Sequence, residues 1–183
     1  MRITISGPIG SGKTTTCTLL SQRLGVECVV SGRMFRQMAV EHGLSLSDFG
    51  RLAESDPKYD KMLDQRMVDI ARHSKDIVLE GRLVAHMLTE NSIPAYRVYL
   101  DASPDIRVGR VVEREGEDRE KAKADMLERE DCEAVRYKRF YGIDIRDKSI
   151  YDLVIDTGAL TPDEVVERII EAVSKADVPT DEG

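Results

Sequence analysis

The 183-residue sequence has no apolar run near the ~20 residues that a membrane-crossing helix needs, so no spanning segment is expected. Its first residues, MRITISGPIG, hold one Arg and an apolar stretch too short for an export signal. They read as a first strand. Cysteine is scarce: Cys17, Cys28 and Cys132 are odd in number, far apart, and in no CxxC or Cys/His spacing. Histidine is as scarce, with only His42, His73 and His86. These shortages argue against a zinc site and a disulfide framework, and for a reducing, cytoplasmic compartment. Internal repeats and low-complexity segments are absent. A net charge of −7 argues against bulk nucleic-acid binding, and no stable nucleic-acid partner is expected. No long apolar surface run calls for a protein partner, so the expectation is a monomer.

The chain is long enough to bury a core as one domain, or as one domain with a small inserted lid. Short β-rich runs alternate with helical patterns. Strands are predicted at 2–6, 27–30, 77–80, 97–100 and 153–156. Helices are predicted at 13–24, 32–42, 58–74, 83–90, 104–115, 119–140 and 162–175. The last opens with Thr161 as cap and Pro162 behind it, and Ser103-Pro104-Asp105 reads the same way. Strand–helix alternation implies an α/β fold, with a five-stranded parallel sheet and helices on both faces. Ligands of such sheets sit beyond the carboxyl ends of the strands. The residues to read are therefore those at 7–15, 31–33, 81–82, 101–103 and 157–158.

The first of these segments, Gly7-Pro8-Ile9-Gly10-Ser11-Gly12-Lys13-Thr14, fits GxxxxGK[ST] between a strand and a helix. Its glycines permit turns that free backbone N–H groups for phosphate oxygens, and the helix N-terminus adds its positive end. Lys13 supplies a mobile charge for the β- and γ-phosphates. The Thr14 hydroxyl is expected to ligate Mg²⁺, and Thr15 to reach the α-phosphate. The pattern marks a P-loop NTPase with ATP as co-substrate, but not the group that accepts the phosphoryl. The DxxG and NKxD signatures of a GTPase are missing. The third strand ends in one acid, Glu80, where larger ATPases carry a pair.

The other strand ends favour a small-molecule kinase. Ser31 is expected to cap the next helix, with Arg33 and Arg36 on one of its faces and available to an acceptor phosphate. Glu80-Gly81-Arg82 follows the third strand. Glu80 is expected to hold Mg²⁺-bound water or to orient Arg82. Arginine is twice as abundant as lysine, 18 against 9, and eight arginines (107, 110, 114, 119, 129, 136, 139, 146) fall within 40 residues. Arginine is the residue suited to two-pronged phosphate contacts. Gly116-Glu117-Asp118 separates two polar helices in this stretch, which read as a mobile cover. Arg129, Glu133 and Arg136 share one face of the second.

The stretches RITISGPIGSGKTT, VVSGRMFRQMA, VLEGRLVAHML, VYLDASPDIRVGRV, LEREDCEAVRYKRFYGID and DLVIDTGALTPDEVVERI together resemble the cytidylate kinases, nucleoside monophosphate kinases that phosphorylate CMP, in their short archaeal-type form. The resemblance implies transfer of the ATP γ-phosphoryl to CMP or dCMP. It places Ser31 and Arg36 in the monophosphate region, Arg82 on CMP toward its base, and Arg129 and Arg136 on phosphates. Glu133 stands where the bacterial form has an Asp that contacts the nucleotide. The bacterial form also has a longer insert where this chain has only residues 31–76, so the base-reading contacts are rebuilt or partly absent. The site expected on these grounds has Lys13, Arg129 and Arg136 as catalytic groups and Gly7, Pro8, Ile9, Gly10, Ser11, Gly12, Lys13, Thr14 and Thr15 on ATP. Ser31, Arg36, Arg82, Glu133 and Arg136 take the acceptor. The domain expectation is one kinase domain over 1–176. Its core is 1–30, 76–114 and 147–176, its helical monophosphate-binding segment 31–75 and its helical lid 115–146, followed by a flexible tail at 177–183. The alternatives are another small P-loop kinase, adenylate kinase-like or shikimate-like, or a nucleotide-switch or RNA-processing ATPase.

Overall fold

The strand β1 (Arg2–Ser6) is buried along all five residues, as a strand must be when paired on both edges and covered on both faces. In the computed structural model, which describes residues 1–116 and 118–176, it pairs in parallel with β3 (Ile77–Glu80) and β4 (Tyr96–Asp101). Beyond them lie β2 (Glu27–Val30) and β5 (Leu153–Asp156), giving the order β2-β3-β1-β4-β5. The register sets Ile5 and Val30 against Glu80, Ser6 against Tyr99, and Asp101 against Asp156. All five strands thus end on one rim. Glu117 and the predicted tail at 177–183 lie outside the described residues.

The period of two along each strand divides the core. Ile3, Ile5 and Val78 face α1 (Lys13–Leu24) and α8 (Pro162–Lys175), where they meet Cys17, Leu20, Val166 and Ile169. Ile77 and Leu79 face α4 (Pro57–His73) and α5 (Val84–Glu90), where they meet Met67, Ala71, Val84 and Leu88. Each large aliphatic side chain so buried contributes about 1.5–3 kcal/mol. α8 starts with the expected cap: Thr161 and Glu164 form a reciprocal capping box.

Two further helices, α2 (Ser31–Glu41) and α3 (Leu46–Ser55), build a satellite on α4 around Met38, Ala39 and Phe49. The predicted pattern omitted α3. Its Gly50, Ser and Asp residues favour loops, yet Ser45 caps it and burial of Phe49 and Ala53 holds it. The expected capping by Ser31 is also corrected. Ser31 is the first helical residue, Val30 stands at the cap, and no side chain bonds there. Ser31 instead packs on Gly81, where an added Cβ would lie 3.0 Å from its Oγ. Ser103 does precede its helix, but its side chain makes no capping bond.

The remaining helices are α6 (Pro104–Glu115) and α7 (Arg119–Tyr141). A cover made of both is not what forms. α6 belongs to the core, with Val108, Val111 and even Arg107 buried. α7 crosses the strand rim like a beam. Its first half rests on α6 through Ala122 and Met126. Its end rests on α4 and α5 through Tyr137 beside Val68, Leu83 and Met87.

The expectation that the cysteines stay unpaired is overturned. Cys17 of α1 and Cys28 of β2 form a disulfide, with Cα atoms 5.9 Å apart. Packing of α1 against β2 creates this proximity, which spacing along the chain does not reveal. Cysteine usage therefore lends no support to a reducing compartment. Alkylation of the chain unfolded without reductant should modify only the exposed Cys132, and all three cysteines after reduction. Mass spectrometry showing three modified cysteines without reductant would contradict the pairing.

Candidate active site

The segment joining β1 to α1 turns on glycines at positive φ: Gly7 at 145°, Gly10 at 78° and Gly12 at 94°. At Gly7 the need is also steric, since a Cβ would stand 2.1 Å from the Leu100 carbonyl oxygen. What holds the loop is a row of side-chain donors on five successive carbonyls. Arg82 Nη1 donates to Gly7 at 2.7 Å and Lys13 Nζ to Pro8 at 2.8 Å. Arg107 Nη1 donates to Ile9 at 3.0 Å and Arg110 Nη1 to Gly10 at 3.3 Å. Thr157 Oγ1 donates to Ser11 at 3.1 Å. Carbonyls fixed to one side leave the N–H groups toward Lys13 and the start of α1 available to an anion. The roles of Arg107, Arg110 and Thr157 are legible only in three dimensions. They come from α6 and from the end of β5, and they act on the loop from behind.

Lys13 is partly covered. Burial, and then the Arg82 charge, push its ammonium down to about 7, against the pull of Glu80, Glu133 and Glu130. Thr14 Oγ1 donates to Glu80 Oε2 at 3.2 Å, from an exposed hydroxyl to a buried carboxylate. This all-oxygen pair at the mouth of the loop suits a hard divalent cation such as Mg²⁺. Thr15 is exposed beside it.

Of the two roles expected for Glu80, holding Mg²⁺-bound water or orienting Arg82, the second does not form: Arg82 meets a different carboxylate. Its second nitrogen, Nη2, lies 2.8 Å from Glu133 Oε2 on α7. Glu133 also takes Arg129 Nε at 3.2 Å. Arg129 itself is 70% exposed and Glu133 only 9%, so the pair runs from solvent into the cleft. Arg136 Nε lies 3.0 Å from Asp60 Oδ2 of α4, and its guanidinium stacks on the Tyr137 ring. Tyr141 donates to Asp64, one turn further along α4. Burial raises the pKa of Asp60, and raises that of Asp64 to about 6. Removing one partner of such an enclosed pair costs about 3–5 kcal/mol. Asp60 and Glu133 therefore keep the guanidinium groups of Arg136 and Arg82 in place.

The structure brings together Lys13, Arg82, Glu133 and Arg136, with Arg129 at the edge. It does not bring in Arg36, which is exposed and bonds its own helix at the Gly32 carbonyl, 3.2 Å away. Ser31 lies against Gly81, beside Arg82. Asp60, Asp64, Glu130 and Tyr141 were not singled out in the sequence. The signal was there in spacing: 60 and 64 are one helical turn apart, and 130, 133, 137 and 141 follow one face of α7. A cavity of about 150 Å³ lies between Gly7-Pro8 and α7, walled also by Arg82, Tyr99 and Glu130. Among the described residues no helix is long and apolar enough to cross a membrane.

An anion bound at this loop beside Lys13 would restore its proton. If a nucleoside triphosphate binds there, binding at pH 8 should take up as much as one proton, and its affinity should fall as pH rises above about 7. Calorimetry in buffers of different ionisation enthalpy checks this. No uptake at pH 8 would mean that Lys13 is already charged in the free protein.

The model of the cytidylate kinase-like family matches residues 2–159. The cytidylate kinase of Methanothrix thermoacetophila is 47% identical over 158 residues, covering 86% of this chain and 89% of its own. That of Methanoregula boonei is 43% identical over 176 residues, covering 96% and 95%. Among solved structures, the shikimate kinase of Bacteroides thetaiotaomicron superposes with a TM-score of 0.64 at 14% identity, over 95% of this chain and 98% of its own. That of Aquifex aeolicus gives 0.63 at 20% identity, over 95% and 96%. The likeness to these two is one of fold, that of the P-loop kinases.

Proposed function

The chain belongs to the cytidylate kinase-like family, and on that premise we propose that it transfers the γ-phosphoryl of ATP to the phosphate of CMP or dCMP. The products are ADP and CDP or dCDP. The observation that carries this reading is the position of Arg82. One guanidinium nitrogen holds the donor loop at Gly7 and the other meets Glu133 on the beam that crosses the rim. It spans the two sides between which a phosphoryl group must pass.

The acceptor oxygen of a nucleoside monophosphate is already anionic at neutral pH, so no general base is needed. Catalysis then rests on position and on charge. Lys13 and the loop N–H groups hold the donor. Arg82 and Arg136 take the acceptor phosphate, exchanging carboxylate for phosphate oxygens as partners. Arg129 adds charge from the edge, and Arg36 joins by swinging from its own helix. Glu133 is left facing the nucleotide. Mg²⁺ would be held by Thr14, with Glu80 behind it, and would neutralise charge on the donor phosphates. α7 excludes water, which would otherwise divert the phosphoryl group to hydrolysis. The reading includes a cytoplasmic monomer acting on free nucleotides in pyrimidine nucleotide metabolism, without a stable nucleic-acid partner. Its kinase core runs through 1–30, 76–114 and 147–176. The acceptor segment is 31–75 and the lid 115–146.

An acceptor panel of CMP, dCMP, UMP, AMP, GMP and shikimate, scored for ADP and for the phosphorylated product, tests it. CMP or dCMP should give the highest kcat/KM. A preference for AMP or shikimate, or ADP with free phosphate alone, would contradict the reading. In the same assay Lys13→Ala should lower kcat about 10²-fold or more, the size expected for one preorganised charge. Arg136→Lys should raise the KM of the monophosphate well beyond that of ATP, because its partners lie on the acceptor side. Equal effects on both would place Arg136 elsewhere.

A further inference from the structure

One N–H of the donor loop is taken by a side chain from outside the loop. Ile9 N–H donates to Glu130 Oε1 of α7 at 2.9 Å. The same carboxylate oxygen accepts from Arg107 Nη1 at 2.6 Å, and that nitrogen also donates to the Ile9 carbonyl at 3.0 Å. Both polar groups of Ile9 are thus held by one ion pair between α7 and α6. The Arg107 half of the pair is fixed: the residue is 6% exposed and its Nε donates to the Ala102 carbonyl at 3.0 Å. The Ile9 side chain packs into the same α6–α7 seam, beside Val108 and Met126. The next residue leaves no slack, since a Cβ on Gly10 would lie 2.7 Å from the Arg107 carbonyl oxygen. The Glu130 half of the pair belongs to the beam. One turn further along the same helix, Glu133 reaches the loop again, at Gly7 through Arg82.

We propose that Glu130 is a positioning residue that sets the Ile9 peptide of the donor loop only while α7 lies across the rim, so that transfer competence depends on the seating of α7. This rests on the kinase reading above and deepens it. Groups on α7 that face the acceptor (Glu133 and Arg136) and the group that sets the loop (Glu130) lie on one rigid helix. Seating the helix on the acceptor therefore seats Glu130 on Ile9. With α7 displaced, Ile9 loses the acceptor of its N–H, and the loop beside Gly10 is free to leave the geometry that transfer needs. Glu130 reaches no substrate in this account. Its influence passes through the reach of its oxygen to a backbone N–H, and the charge serves mainly to hold Arg107.

Two conservative variants separate reach from charge. Glu130→Gln keeps an oxygen at the same distance and loses the charge. Glu130→Asp keeps the charge for Arg107 and draws the oxygen back by one methylene. In the full-length chain, Glu130→Gln should keep kcat within about threefold of the parent. Glu130→Asp should lose about tenfold to a hundredfold, with the KM of CMP moving less than about twofold. Hydrogen exchange at the Ile9 amide, which needs no turnover, should accelerate about tenfold in the Asp variant and little in the Gln variant. The reverse order, with Asp active and Gln impaired, would reduce Glu130 to a structural ion pair and overturn the proposal. So would unchanged kcat and exchange in both variants, or a KM for CMP that follows kcat. A parent chain that phosphorylates no monophosphate would contradict the kinase reading, and the Ile9 exchange order would still decide for or against the clamp.

Discussion

Five consecutive carbonyls, from Gly7 to Ser11, each accept a hydrogen bond from a side chain, and four of the five donors come from segments far along the chain: Arg82 after β3, Arg107 and Arg110 on α6, and Thr157 after β5. The rest of the molecule is arranged to make that row possible. A glycine-rich turn alone is a flexible segment with many conformations, and fixing each residue costs roughly 1–2 kcal/mol in entropy. The sheet register brings β3, β4 and β5 to one rim, which delivers Arg82, α6 and Thr157 to the loop. Once the carbonyls are occupied, the backbone presents its N–H groups without reorganisation when an anion arrives. That is the condition under which electrostatic stabilisation of a transferring phosphoryl group is largest.

Holding so many cations near one loop creates a second constraint. Lys13, Arg82, Arg107 and Arg136 are all wholly or partly shielded from water, and each would be costly without compensation. Compensation comes from nearby acids: Glu80, Glu130, Glu133 and Asp60. Three of the four oppose arginines through α7, two as residues of that helix and one as the partner of Arg136. This is why a helix with a polar sequence stays seated. Its apolar contacts are at its two ends, on α6 and on α4–α5, and its middle is held by ion pairs. On the proposed reading, phosphate replaces carboxylate at Arg82 and Arg136 with little change in the charge around them.

The sheet and the donor loop were legible in the sequence because each rests on a local pattern. Strands such as RITIS and IVLE are short β-rich runs, and GPIGSGKT is a contiguous motif between a strand and a helix. The helix α3 was not legible because its residues favour loops, and only the burial of Phe49 and Ala53 against neighbours decides its form. Ser31 had the right residue type for a cap, but the chain enters α2 one residue early and its side chain meets Gly81 instead. The pairing of Cys17 with Cys28 depends on how α1 packs on β2. The arginine cluster was recognisable in number, yet its members serve different ends. Arg107 and Arg110 support the donor loop from behind, Arg136 stands opposite Asp60, and Arg114 pairs with neighbouring Glu115 at the surface. Partners contributed by distant segments, Asp60 above all, have no signature until the fold assembles them.

On the proposed reading, donor and acceptor phosphates meet end to end in one cationic cleft between the loop and α7. The most direct measurement is the affinity of a two-ended ligand, adenosine and cytidine joined through five phosphates, compared with ATP and CMP separately. A single cleft should bind it at one-to-one stoichiometry and at least about 10²-fold more tightly than either nucleotide, because the second end binds at high effective concentration. Binding no tighter than ATP alone, or displacement by ATP but not by CMP, would contradict the account.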